Sequence, residues 1–194
     1  MGQGRLRGAW IVLLIAATVS ISAQTRDEIA VFDAGLKWFA ADFEQRQKVV
    51  PAFLILNETV VMLPQDLGYA RGDLPKPLGD SILAKNAVSE SIAGYAPPQP
   101  FRLMSREAFG SVLVPPKVAG GRDHYYDWSA LHSRFPDALG ALELSLPAFS
   151  DDGNTALLFF WTGVSPSGGS GHLLLLTKSG GRWKVIRDFT PWVI

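Results

Sequence analysis

The hydrophobic period of this chain changes along its length, and that change constrains the fold more than any other feature. Ile29, Phe32, Leu36, Phe39 and Phe43 recur at steps of three, four, three and four, which puts them on one face of a helix. From Leu142 onward the period falls to two: Leu142, Leu144 and Leu146 alternate with Glu143 and Ser145, as in a strand whose successive side chains point to opposite faces. A chain with a helical stripe at one end and strand alternation at the other keeps its helix apart from its strands and packs one layer on the other. The expectation is an α+β fold, with a long N-terminal helix packed on a curved antiparallel sheet that ends in a four-stranded meander.

Local signals fill in this outline. Thr25 followed three residues later by Glu28 is a capping box, and Asp33 with Lys37 and Asp42 with Arg46 are acid-first pairs four residues apart on a helix reaching about Arg46. Residues 52–57 form a short apolar run that reads as a buried strand. Pro64, Pro75 and Pro77, with three glycines, mark residues 64–80 as a loop, and residues 80–93 permit a helix. A strand over 101–104 and short helices capped by Ser105 and Asp127 follow, the second ending near Pro136. Strands are expected over 155–162, 172–178 and 182–189, joined by a turn at Asp151-Asp-Gly-Asn154 and another at Ser179-Gly-Gly181.

The first residues point to export. Arg5 and Arg7 precede an apolar run over 9–21, too short for a comfortable membrane span, and Ser20, Ser22 and Ala23 follow as small residues. Residues 1–23 are therefore expected to be a signal peptide, cleaved after Ala23 or Ser22, leaving residues 24–194 as one α+β domain in the periplasm or outside the cell, with no stable membrane span. The leader takes two arginines and no acids, so sixteen basic residues face eighteen acidic ones in the mature chain, a charge near −2. That balance argues against nucleic acid as a partner, which needs a concentrated positive field. The chain has no cysteine, which rules out disulfides, cysteine nucleophiles and thiolate metal sites.

The stretch Gly163-Val-Ser-Pro-Ser-Gly-Gly-Ser-Gly-His172 invites comparison with phosphate-binding loops. Such loops join a strand to a helix and carry a lysine followed by serine or threonine. Here four leucines follow at 173–176 and the next lysine is Lys178. A flexible connection between two antiparallel strands is the expectation, with His172 at a strand start as an exposed or hydrogen-bonded edge residue.

The last third carries a recurring pattern: Phe135-Pro136, Gly140, Phe149-Ser-Asp-Asp-Gly-Asn-Thr-Ala-Leu157, Gly169-Ser-Gly171, Leu175-Leu-Thr-Lys178, Gly181-Arg-Trp-Lys-Val185 and Trp192-Val193. It resembles a group of uncharacterised exported bacterial proteins whose tails read GF-S-x-D-G-T-x-A-L, then C-G-x-L-C-G-x-G, then G-x-W-x-V. Phe101-Arg-Leu-Met-Ser-Arg-Glu107 and Ala84-Lys-Asn-Ala87 are similar to the same group's middle section. Val164 and Gly168 stand where the group has its two cysteines. The resemblance implies a bacterial source and export, and no activity or catalytic residue.

The densest polar cluster is Arg122-Asp-His-Tyr-Tyr-Asp-Trp128, with His132 beyond it. His124, Asp127 and His132 are of the types that ligate zinc-like ions, but their spacing matches no metal motif, and no metal or cofactor is expected. Trp161, Trp183 and Trp192 lie on the meander, in its core, at its rim or on an aromatic binding face. The favoured function is a non-enzymatic binding or interaction module of the cell envelope, taking an unknown protein or small ligand. Its binding candidates are His124, Asp127, His132 and Trp161. The rival is an envelope hydrolase using Asp123, His124, Asp127 and His132.

Overall fold

The computed structural model describes residues 24–115 and 124–193; the expected leader and Asp123 lie outside them. Helix α1, Arg26–Gln47, opens on the expected box: the Glu28 N–H donates to Thr25 Oγ1 at 3.2 Å and the Thr25 N–H donates to the Glu28 carboxylate at 2.8 Å. Its buried face is Val31, Phe32, Gly35, Leu36 and Phe39, whereas Ile29 is exposed. The buried stripe is thus rotated from the expected one and takes in Gly35, which packs against Leu158. A Cβ on Gly35 would lie 2.6 Å from Leu158 Cδ2.

The chain continues through β1 (Phe53–Leu56), a 3₁₀ segment (Pro64–Gly72), α2 (Lys76–Lys85), β2 (Arg102–Met104), α3 (Arg106–Phe109), β3 (Leu113–Val114), β4 (Tyr125–Tyr126) and α4 (Trp128–Arg134). It ends in β5 (Gly140–Leu144), β6 (Ala148–Phe149), β7 (Thr155–Ser165), β8 (Gly168–Ser179) and β9 (Arg182–Val193). One seven-stranded sheet runs β2-β1-β5-β7-β8-β9, with β6 also paired to β7, and β3 and β4 form a separate two-stranded ribbon. Strands β5, β7, β8 and β9 are the four-stranded antiparallel meander. The sheet is mixed at its other side, where β1 pairs in parallel with both β2 and β5. Parallel neighbours need a crossover, and the helical segments between β1, β2 and β5 supply it.

Both faces of the meander are covered. On one, Phe32, Leu36 and Phe39 of α1 pack on Phe53, Leu142, Leu158, Phe160 and Leu174. On the other, Leu67, Leu78 and Ile82 pack on Leu157, Phe159, Leu173 and Phe189. The segment read as a proline-rich loop is therefore a 3₁₀ turn running into α2, and it forms a second layer; this is why 156–160 is buried throughout instead of alternating. A third cluster sets Phe109, Val112, Tyr126 and Leu131 against Leu54, Leu56 and Ala141. Asn86, fully buried, ties α2 to the strand region: its Nδ2 donates to the carbonyls of Ile82 and Leu146 at 2.9 Å each, and its Oδ1 accepts from the Leu146 N–H at 2.6 Å. Among the described residues no helix is long and apolar enough to cross a membrane.

Glu28 links this packing to pH. Burial pushes its carboxyl up, but the Lys85 ammonium at 2.6 Å and the Thr25 N–H outweigh burial and hold it below its ordinary value of 4.5. A depressed carboxylate stabilises the fold above its unfolded pKa, and that stability drains away as pH falls through the lower folded value. The exposure of Lys85, about a third of its side chain, limits the contribution to about 1–2 kcal/mol. Thermal midpoints recorded from pH 6 to pH 3 are expected to fall more steeply for the parent chain than for E28Q, which has no such charge to lose.

Candidate functional site

A cleft of about 580 Å³ opens where β4 and the start of α4 lie over β5 and β7. Its position follows from pairing register. Glu143 on β5 sits directly opposite Trp161 on β7, so both side chains project from the same face of the sheet. Tyr126 stacks on Trp161 with ring centres 5.5 Å apart and planes 14° from parallel, and Trp128 lies 5.5 Å from Tyr126 and 6.3 Å from Trp161. Gly163 makes room for this wall: a Cβ there would stand 2.5 Å from a Trp161 ring atom and 2.7 Å from one of Trp128.

At the base, His124 Nε2 lies 3.3 Å from Glu143 Oε1, and both side chains are about 95% removed from solvent (4% and 5% exposed). Two such groups are costly to bury apart and far less costly together. The cleft thus offers aromatic surface along one wall and an imidazole–carboxylate pair at its base. A ring-shaped molecule can stack on the first while its donors reach the second.

The sequence candidates separate here. His124 and Trp161 belong to the cleft, and Asp127 stands at its rim, where its Oδ1 accepts from the Ala130 N–H at 3.0 Å as the cap of α4. His132 turns elsewhere: its Nε2–H donates to the Val164 carbonyl at 3.1 Å, at the residue where the β7–β8 register slips. Among the described residues no three histidine or acidic side chains form a group able to hold a metal ion.

Glu143 is the member that sequence reasoning missed. Its alternation with leucines suggests a solvent-facing strand position, yet the β4–α4 layer covers it to 3% exposure. Only its charge in an otherwise apolar strand hints at a role.

The glycine-rich stretch does connect two antiparallel strands, as expected, but most of it is itself strand. Strand β7 runs on to Ser165 and β8 begins at Gly168, leaving Pro166 and Ser167 as a tight turn. The glycines give the packed aromatic rings room to approach the backbone. His172 lies well inside β8, buried and stacked on Phe160 with ring centres 4.9 Å apart. No family model, curated protein or solved structure matches the chain.

Proposed function

We propose that this chain is an exported binding module of the bacterial cell envelope whose cleft takes a small polyhydroxylated ring, a saccharide. The observation that carries the reading is the aromatic wall of Trp128 and the stacked Tyr126–Trp161 pair beside the buried His124–Glu143 pair, in a space of ligand size. A sugar ring presents C–H groups to an aromatic face and hydroxyl donors to a carboxylate, and this cleft holds both complements. The near-neutral mature chain fits an uncharged ligand better than a polyanion. The rival hydrolase reading loses support because Asp127 is engaged in capping and His132 in holding Val164, which takes two of its members away from the chemistry it requires.

The test is a titration of intrinsic tryptophan fluorescence with a panel of neutral and amino mono- and disaccharides and envelope glycan fragments. At least one member is expected to give a saturable change. W161A should weaken that binding by about tenfold or more, because truncating a central aromatic anchor has effects of this size, while its circular dichroism spectrum should remain that of the folded parent. A folded protein that answers to no member of the panel, or a W161A chain that binds as the parent does, overturns the reading.

A further inference from the structure

On the α1 face of the sheet, on the other side of the β7–β8 ribbon, a second cleft of about 360 Å³ opens beside the last turns of α1. Three side chains of β8 and β9 meet there. Ser170 Oγ lies 2.8 Å from His172 Nε2, and His172 Nδ1 lies 3.3 and 3.4 Å from the two carboxylate oxygens of Asp188. Ser170 and His172 are two residues apart on one strand and so share a face.

The partners determine where the protons sit. A carboxylate only accepts, so Nδ1 carries the imidazole proton and points it at Asp188. In the neutral ring Nε2 is then an acceptor, and the Ser170 hydroxyl donates to it. Thr162, opposite Ser170 on β7, has its Oγ1 3.2 Å from Ser170 Oγ and donates to that oxygen in turn.

From this geometry we infer that Ser170, His172 and Asp188 form a nucleophile, general base and positioning carboxylate able to hydrolyse small carboxylic esters. Nucleophile–base contact and base–orienter contact are two geometric requirements of a serine acyl-transfer site, the adjoining cavity gives an acyl group room, and such contacts are often long in the unliganded state. His172 is held in place by Phe160, stacked on it, and by Phe39, edge-on to it. Ser170 is only partly buried and lines the cleft. Phe43, Phe53 and Val164 supply an apolar wall for a short acyl group, and Arg46, ion-paired with Asp42, lines the same cleft.

In the first step Ser170 Oγ bonds to the ester carbonyl carbon while its proton passes to His172 Nε2. The ester C–O bond then breaks, and the departing alkoxide takes that proton and leaves as an alcohol. Water attacks the acyl-serine, giving its proton to Nε2. The acyl C–O bond to Ser170 breaks, a carboxylic acid is released, and Ser170 recovers its proton. Ester and water become acid and alcohol, with no oxidation or reduction.

The experiment is labelling of the purified protein with a fluorophosphonate probe, followed by peptide mapping, together with hydrolysis of p-nitrophenyl acetate and butyrate. One phosphonyl group is expected on Ser170. S170A should take up no label and lose ester hydrolysis by on the order of 10³-fold or more, with an unchanged thermal midpoint. S170C keeps a nucleophile and should regain part of the acylation, and iodoacetamide, which leaves the cysteine-free parent untouched at this position, should then block it. D188N should lower kcat with little change in KM, whereas a purely structural aspartate would move stability and not that ratio. An unlabelled parent protein, a label mapped to another residue, or S170A hydrolysing as the parent does overturns the inference. The labelling arm needs no variant, so a mutant that fails to fold leaves the test intact.

Discussion

Truncating Phe39 to alanine is expected to destabilise the fold by about 3–5 kcal/mol and to lower the thermal midpoint by roughly 6–20 °C. Phe39 is 3% exposed and sits where α1 meets the sheet. Its ring centre lies 5.2 Å from Phe160, 5.5 Å from Phe53, 5.8 Å from Phe43 and 5.8 Å from His172. Three of those four contacts are tilted or edge-on arrangements between phenylalanine rings, each adding a little to plain burial. Removing the ring leaves a void that the flanking strands cannot close, because β7 is buried on both faces and held in register by β5 and β8. F43A is the control: Phe43 is only partly buried one turn further on, and its loss should amount to about 1–2 kcal/mol. Chemical denaturation of the two variants beside the parent checks the order. Equal losses would mean that the α1–sheet contact is not centred on Phe39.

The features legible in the sequence are the local ones. Thr25 and Glu28 determine the start of α1, and Asp127 that of α4, because a cap bond spans only three residues. The last three strands are visible because each turn among them joins strands adjacent in the chain, as at Gly180 and Gly181, which adopt positive φ between β8 and β9. Long-range contacts are not legible in this way. Leu67 and Leu78 show no periodicity that would place them on the far face of β7, so residues 64–80 read as a loop although they cover a second core. Strand β1 gives no sign of its parallel pairing, because direction depends on the path of distant segments. The cleft is half visible. His124 and Trp161 stand out by residue type, but the partner of His124 comes from a strand that pairs with that of Trp161, and sequence distance conceals both relations. The Ser170–His172–Asp188 array is concealed differently. A histidine after a run of glycines reads as an edge residue, and the carboxylate that faces it lies on the next strand.

Replacing Gly140 with alanine is expected to cost about 3 kcal/mol, at the upper end for overpacking, and to abolish saccharide binding in the aromatic cleft with it. A Cβ on Gly140 would stand 2.0 Å from the Gly163 carbonyl oxygen and 3.0 Å from Phe53 Cε1. The first of these is backbone, and no rotamer relieves it, so β5 must move away from β7. The ladder that pairs Ala141 with Gly163 and Glu143 with Trp161 moves with it. Glu143 and Trp161 would then lose the registration that sets the carboxylate beside the aromatic wall. Gly35→Ala makes the contrast. Its Cβ would approach Leu158 Cδ2 at 2.6 Å, but that atom is the end of a flexible side chain, and alanine gains helix propensity in the middle of α1. The two opposing effects should leave G35A within about 1 kcal/mol of the parent. Urea midpoints for the two alanine variants, taken with the fluorescence titration, separate the cases: a G140A protein as stable as G35A would mean that β5 and β7 do not approach at Gly140 and Gly163 as closely as their backbones indicate.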